Sequence, residues 1–112
     1  NIIFYGNNDR VSQPENTVEI LQGQEVKLLC FYDTTSNAPD LFWYIQRPNN
    51  SPQHLLTRSS GYNPSAEDAR FDATLNTSEK TVHLSISSAT LSDSAIYFCA
   101  LRPTILKRNL TI

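Results

Sequence analysis

The chain contains 112 residues, 39% of them hydrophobic, and carries a net charge of −2. This length supports one two-layer core and is too short for a second, so we expect residues 1–112 to fold as a single domain. The nine Lys and Arg residues are scattered and form no basic stripe, which argues against nucleic acid and anionic membrane surfaces as partners.

Short runs of alternating apolar and polar residues, separated by turn-forming residues, dominate the chain and predict an all-β sandwich. Residues 1–9 are expected to form an N-terminal extension. Arg10–Gln13 predicts an edge strand that Pro14 halts, and Thr17–Leu21 is expected to continue it after the break. In Val26–Cys30 the first, third and fifth side chains share one face, which should be the core face.

A polar, turn-forming loop at Tyr32–Asp40 precedes the most aromatic strand of the chain, Leu41–Gln46. Alternation along this strand points one set of side chains inward and the other outward. The inward set is Leu41, Trp43 and Ile45, and the outward set is Phe42, Tyr44 and Gln46. Single exposed aromatic residues are ordinary, but this contiguous row predicts a surface that a partner covers.

The second half of the chain repeats the pattern of short strands and turns. The predicted strands are Gln53–Thr57, Arg70–Leu75 and Thr81–Ile86. Residues 59–64 predict an exposed loop with a projecting Tyr62. His83, in an alternating strand, is expected to face the surface. Ala89–Ser92 then makes a short connection to the strand that contains Cys99.

Two cysteines in so small a domain favour a disulfide in an oxidising, extracellular setting, and two buried free thiols are the alternative. Three glycosylation sequons, which support a secretory history, begin at Asn49, Asn76 and Asn109. No apolar run approaches the length of a membrane span, and Ile2–Tyr5 lacks the length and basic flank of a signal peptide. We therefore expect a mature ectodomain fragment.

Signals of catalysis or metal binding are weak. His54, His83 and several Asp and Ser residues could be combined into a triad, but no nucleophile elbow or glycine-built oxyanion loop frames any serine. Two cysteines in a disulfide and two distant histidines do not make a metal site. We expect no enzymatic activity, no metal and no cofactor.

Cys30, Trp43 and Cys99, together with the run Asp93–Cys99, carry a family resemblance. Their spacing, and the Asp-x-Ala-x-Tyr-x-Cys pattern of the run, are similar to those of a variable-type immunoglobulin domain. The resemblance implies a Greek-key β-sandwich of two antiparallel sheets. It also implies one inter-sheet disulfide between Cys30 and Cys99, with Trp43 packed against it.

Three more structural positions follow from the same resemblance. Tyr97 occupies the tyrosine-corner position, where the hydroxyl bonds upstream backbone. Arg70 and Asp93 stand where such domains form a structural ion pair, at the end of the sandwich opposite the recognition loops.

Three segments resemble T-cell-receptor alpha or delta variable domains in particular: Gln13–Glu15, Leu41–Gln46 and Asp93–Leu101. In that family the residue at the position of Gln46 pairs with a glutamine of a second variable domain across a pseudo-twofold axis. The implied partner is a beta- or gamma-type chain, or a second copy of this one. The implied interface residues are Phe42, Tyr44, Gln46, Pro52 and Phe98.

The resemblance further implies that loops at one end bind a peptide displayed by a major histocompatibility molecule, or a related ligand. The first loop supplies Tyr32, Asp33, Thr34, Thr35, Ser36 and Asn37, the second Ser59, Ser60, Gly61, Tyr62 and Asn63, and the third Leu101, Arg102 and Pro103. Tyr adds contact area at low entropy cost, while Ser and Asn adapt their hydrogen bonds. Tyr32, Tyr62 and Arg102 are expected to contribute most of the binding energy.

The end of the chain departs from the family pattern. A rearranged receptor carries Phe-Gly-x-Gly after its third loop, but this chain has no glycine beyond its second loop. We expect 102–112 to form an atypical last strand with Leu110 and Ile112 at core positions. A glycan at Asn49 or Asn109 would hinder pairing. The missing motif keeps open a second hypothesis, a germline-encoded innate-type or costimulatory V-set receptor ectodomain that acts singly or as a homodimer.

Overall fold

A computed structural model describes residues 1–5 and 9–102, and almost all of its secondary structure is β. The strands are β1 Ile2–Phe4, β2 Arg10–Ser12, β3 Val26–Leu28, β4 Phe31–Asp33, β5 Asp40–Gln46, β6 Gln53–Arg58, β7 Phe71–Ala73, β8 Leu84–Ile86 and β9 Ile96–Arg102, with a 3-10 turn at Leu91–Asp93. Within these ranges no helix is long and apolar enough to cross a membrane. Of the predicted last strand at 102–112, only Arg102 lies inside the described residues.

The strands form two layers. One layer is the antiparallel sheet β6-β5-β9. The other combines the sheets β1-β2-β4 and β3-β8-β7. The chain runs directly from β3 into β4, and backbone hydrogen bonds from Val82 N to Cys30 O (3.0 Å) and from Tyr32 N to Lys80 O (3.0 Å) join the two sheets. The predicted all-β sandwich of antiparallel sheets is confirmed.

Trp43 and a disulfide occupy the centre of the core. Cys30 and Cys99 are bonded, which links the two layers as expected. Closing a loop of this length contributes about 4 kcal/mol in the chain-entropy model. Trp43 is fully buried, lies opposite Cys99 in the β5–β9 register, and donates from Nε1 to Val82 O at 2.7 Å. Leu41 and Ile45 are buried on the same face of β5, because the side chains of a strand alternate.

Two predictions about the N-terminal half are wrong. Thr17–Leu21 forms no strand, although Val18 and Ile20 pack against the core, because the segment has no paired neighbour among the described residues. Arg10–Ser12 is not an edge strand, because β1 in the extension pairs with it on the side away from β4. The composition of residues 1–9 does not predict that β1 pairs with β2.

His83 lies on the outward side of the sheet, as predicted, because Val82 and Leu84 on either side of it are fully buried, but a neighbouring ring partly covers it. His83 is half-buried, and its Nδ1 accepts a hydrogen bond from the backbone N–H of Cys30 at 3.0 Å. Its ring packs edge-on against Phe31, with 5.2 Å between the centroids. Burial lowers the pKa of the imidazole, which keeps Nδ1 free to accept.

An ion pair closes the end of the sandwich at which β9 begins. Arg70 binds both carboxylate oxygens of Asp93, with Nη1 to Oδ2 at 2.7 Å and Nη2 to Oδ1 at 2.9 Å, and it also binds the more exposed Asp68. Asp93 is buried and accepts a further bond from Thr90 N at 2.8 Å. The hydroxyl of Tyr97 donates to Asp93 O at 2.6 Å.

These contacts shift the pKa values of the acid and the phenol. The hydrogen bonds from Arg70 lower the pKa of Asp93 to about 2, against the opposing effect of burial. Burial raises the pKa of Tyr97 to about 12. Because the folded pKa of Asp93 lies below the unfolded value of about 3.9, its stabilising contribution is full above that unfolded value and is lost as the pH falls toward 2.

We expect Asp93→Asn to lower the free energy of unfolding by about 2–3 kcal/mol at pH 7, because it removes a buried charge partner of Arg70. The same substitution should flatten the decline in stability between about pH 5 and pH 2. Urea denaturation followed by Trp43 fluorescence at several pH values measures both effects. Asp68→Asn is the matched control and should cost much less, since the side chain of Asp68 is 46% exposed. An Asp93→Asn protein as stable as the wild type would refute this account.

Candidate functional site

The register of β5 brings two connecting segments and the end of β9 to one end of the sandwich. Asp40 lies opposite Arg102 and Leu41 opposite Arg58, so the start of β5 meets the ends of β6 and β9. The segment before β5, residues 34–39, therefore emerges beside the segment after β6, residues 59–63. We call these two segments and Arg102 the loop end.

The first loop is shorter than predicted, and the proposed role of Tyr32 in ligand contact is wrong. Tyr32 lies in β4 opposite Val11, is only 5% exposed, and has a pKa raised by burial. Asp33 also belongs to β4, and its carboxylate lies 2.7 Å from Lys80 Nζ and 3.6 Å from Arg10 Nη2. The polar composition of the loop gave no sign that its first residues pair with β2.

The remaining part of the first loop is held by side chains. Thr34 Oγ1 accepts from Ser36 N at 3.1 Å, and the buried Asp9 accepts from Thr35 N at 3.2 Å. Thr35 and Asn37 are exposed. The N-terminal extension thus fixes this loop through Asp9, a contact that the sequence analysis missed because the two residues are far apart in the chain.

The second loop, Ser59–Asn63, is closed by its own side chains. Asn63 Oδ1 accepts from Ser59 N at 3.1 Å, and Ser59 Oγ lies 3.1 Å from both the nitrogen and the oxygen of the Tyr62 backbone. Ser60 and Gly61 are exposed. Tyr62 is 65% exposed and offers the largest accessible side chain of the loop.

The third loop begins later than predicted. Leu101 lies in β9, is 3% exposed and shares the inward side with Cys99, so its expected role in ligand contact is wrong. Arg102 is exposed at the end of β9, where it bonds Asp40 at 3.0 Å and lies 5.2 Å above the ring of Phe42. Pro103 is outside the described residues.

A group of aromatic side chains covers the outer surface of β6-β5-β9. We call this surface the aromatic face: Phe42, Tyr44, Gln46, Pro52, His54 and Phe98. The rings of Tyr44 and Phe98 are stacked at 5.6 Å, and His54 lies edge-on to Tyr44 at 5.8 Å. Gln46 is half-buried and donates to Asn50 O at 3.1 Å. Pro52 is exposed just before β6, and thus near the Gln46 end of the face.

His54 is a member of the aromatic face that the sequence analysis did not assign. It lies opposite Tyr44 in the β5–β6 register, after an irregularity between Trp43 and Tyr44. Tyr44 was predicted to face outward, so its cross-strand neighbour should do the same. The sequence does not show that this neighbour is His54, because the register between β5 and β6 is not known from it. The side chain of His54 also contacts Thr57, with Nε2 2.7 Å from Oγ1.

A groove of about 920 Å³ lies at the β9 edge of the described sheet, where it is lined by the first residues of β9, by residues in the segment 13–22 and by β3. Val18, Ile20 and Ile96 are among its lining residues, and Ile96 is 63% exposed. Part of this strand edge is satisfied by one side chain, since Gln13 donates to Tyr97 O at 3.2 Å and accepts from Cys99 N at 3.0 Å. We call this feature the edge groove.

Two of the three sequon asparagines lie in described turns. Asn49 is exposed and has a positive φ of 61°, in the turn between β5 and β6. Asn76 is half-buried, and its Oδ1 accepts from the backbone of Ser78 and Glu79. Asn109 lies outside the described residues.

Comparison with known proteins gives consistent results. Residues 13–109 match the family model of the immunoglobulin V-set domain. The chain is 42% identical to human T cell receptor alpha variable 3, over 82% of this chain and 80% of that protein. It is 46% identical to the mouse T-cell receptor alpha chain V region CTL-F3, over 85% of this chain and 70% of that protein.

A rabbit protein, T-cell receptor alpha chain V region RL-5, is 42% identical over 86% of this chain and 70% of its own length. The family-model match at residues 13–109 spans the disulfide, the aromatic face and the described part of the loop end. The chain therefore belongs to the immunoglobulin V-set family and, within it, to the T cell receptor alpha variable domains.

Proposed function

We propose that this domain recognises antigen as the extracellular part of a cell-surface receptor. In this proposal the loop end binds a peptide displayed by a major histocompatibility molecule, or a related ligand, and the aromatic face pairs with a beta- or gamma-type variable domain. One observation carries the proposal: the loop end and the aromatic face belong to the same sheet, β6-β5-β9. Pairing through that face would set the loops of two domains side by side.

The composition of the aromatic face supports a protein partner. Aromatic residues are enriched at protein interfaces, and charged residues are depleted at interface cores. Phe42, Tyr44 and Phe98 supply aromatic rings, and Gln46 supplies a half-buried amide on the same face of β5. Similarity to T cell receptor alpha variable domains favours this function over the germline-encoded innate or costimulatory receptor.

We expect Gln46→Arg to weaken pairing at least tenfold, because a charge would be buried against the partner without a counterion. Sedimentation of the domain alone, and mixed with a beta-chain variable domain, measures the association. In a homodimer the substitution sets two like charges near the twofold axis and should dissociate it. Gln24→Arg, the same change at an exposed site outside the aromatic face, is the control. Association unaffected by Gln46→Arg would place the contact on another surface.

We expect Tyr62→Ala to weaken ligand binding by about tenfold or more, because it removes a large exposed ring from the loop end. The assay joins the domain to a complete receptor with a beta chain and measures staining of cells that display peptide-loaded histocompatibility molecules. Leu91→Ala is the control, since Leu91 is 82% exposed but lies at the opposite end of the sandwich. Binding that responds to Leu91→Ala and ignores Tyr62→Ala would contradict the proposed use of this end.

We also propose that part of residues 103–112 fills the edge groove as the last strand of the sheet. The groove lies beside the strand that leads directly into this tail, and an antiparallel return would bring apolar side chains against Val18, Ile20 and Ile96. The Leu-x-Ile alternation at the end of the tail places Leu110 and Ile112 on one side of such a strand and Thr111 on the other.

We expect Leu110→Asp to lower the melting temperature by several degrees, because it would bury a carboxylate against Val18, Ile20 and Ile96 in a groove whose lining also includes Glu15 and Glu19. Thr111→Asp introduces the same charge one residue later, where alternation directs the side chain to solvent, and should have little effect. Calorimetry of the two variants decides between them. Equal melting temperatures for both variants would mean that the tail does not occupy the groove in this register.

A further inference from the structure

We infer that Arg58 is a positioning residue that fixes the second loop on the sandwich. The arginine is the last residue of β6 and is 5% exposed, so a charged side chain lies buried directly beneath an exposed loop. The inference rests on the proposed function only where it treats this loop as part of a ligand-binding surface. The positioning itself follows from the contacts of the guanidinium group.

One nitrogen of Arg58 joins the two ends of the loop. Nη1 donates to Thr57 O at 2.7 Å, just before the loop, and to Pro64 O at 2.8 Å, just after it. The loop entry and exit are therefore held at a fixed separation. The bonds of Ser59 to Tyr62 and Asn63 lie within the loop, so they shape it without setting its position on the fold.

The other two donors fix this junction to the opposite layer. Nε donates to Ala73 O at 2.6 Å and Nη2 to Asp72 Oδ1 at 3.0 Å, and both acceptors belong to β7. Arg58 thus connects β6, both ends of the second loop and β7 through a single planar group. The position of Tyr62 relative to the two sheets therefore depends on the contacts of Arg58.

The chemistry of the side chain explains why arginine occupies this position. Four acceptors are spread around the plane of the guanidinium group, and its rigid fork reaches all of them. Three of these acceptors are backbone carbonyls, and the single carboxylate is 72% exposed on the Asp72 side chain. A buried charge is tolerated only when it is fully hydrogen-bonded. A lysine would keep the charge but has no planar fork to reach the same set.

We propose to test this inference with Arg58→Lys and limited chymotrypsin digestion. Tyr62 is exposed and offers a cleavage site in the loop itself. We expect the rate of cleavage after Tyr62, identified by fragment mass, to rise by about tenfold as the loop opens more often. Amide exchange in β5 and β9 should stay at the wild-type rate. Arg47→Lys, the same change at an exposed arginine in the β5–β6 turn, should alter neither rate.

An unchanged cleavage rate in folded Arg58→Lys would overturn the inference. So would a rise matched by faster exchange in β5, because that would indicate a loss of global stability and not of loop position. If Arg58→Lys does not fold, Asp72→Ala decides, since it removes one acceptor at an exposed site: faster cleavage supports the inference and an unchanged rate overturns it. None of these measurements uses a ligand. If the loop is held by Arg58 but the domain binds no antigen, the proposed function is refuted and the inference about Arg58 stands.

Discussion

The position of β5 between β6 and β9 is the constraint on which the rest of this domain depends. Because strand side chains alternate, the same seven residues present Trp43 to the disulfide and Tyr44 to the aromatic face. The two registers also decide which connections share an end, since the first residues of β5 lie opposite the last residues of both neighbours. A shift of one residue would exchange the core and the outer face together.

Arginine contacts stabilise both ends of the sandwich, and they do so by different chemistry. At one end Arg70 is paired with carboxylates, so the pair depends on the ionisation of Asp93 and weakens in acid. At the other end Arg58 binds mainly backbone carbonyls, which do not titrate near neutral pH. The end beneath the loops is therefore held by contacts that are insensitive to moderate changes in pH.

Among the described residues, β9 has a neighbouring strand on one side only, and side chains bond backbone groups on its other side. The side-chain amide of Gln13 supplies both a donor and an acceptor to this edge, and the hydroxyl of Tyr5 accepts from Leu101 N at 3.1 Å. Unpaired backbone groups invite pairing with another chain, and these side chains satisfy part of the edge. The rest of the edge opens into a groove whose lining includes exposed Ile96, which suits an additional strand.

The sequence by itself determined the sandwich, the inward positions of β5 and the pairing of Cys30 with Cys99, because these depend on local alternation and on one characteristic spacing. The exposed second loop could also be predicted from the sequence, because turn-forming residues act locally. Only the tertiary structure decided that Tyr32 is buried and that β1 pairs with β2. It also decided that His54 lies on the aromatic face and that Arg58 bonds both ends of the second loop. Each of these depends on a register or a contact between distant segments, and no local pattern encodes which backbone group will lie opposite which side chain.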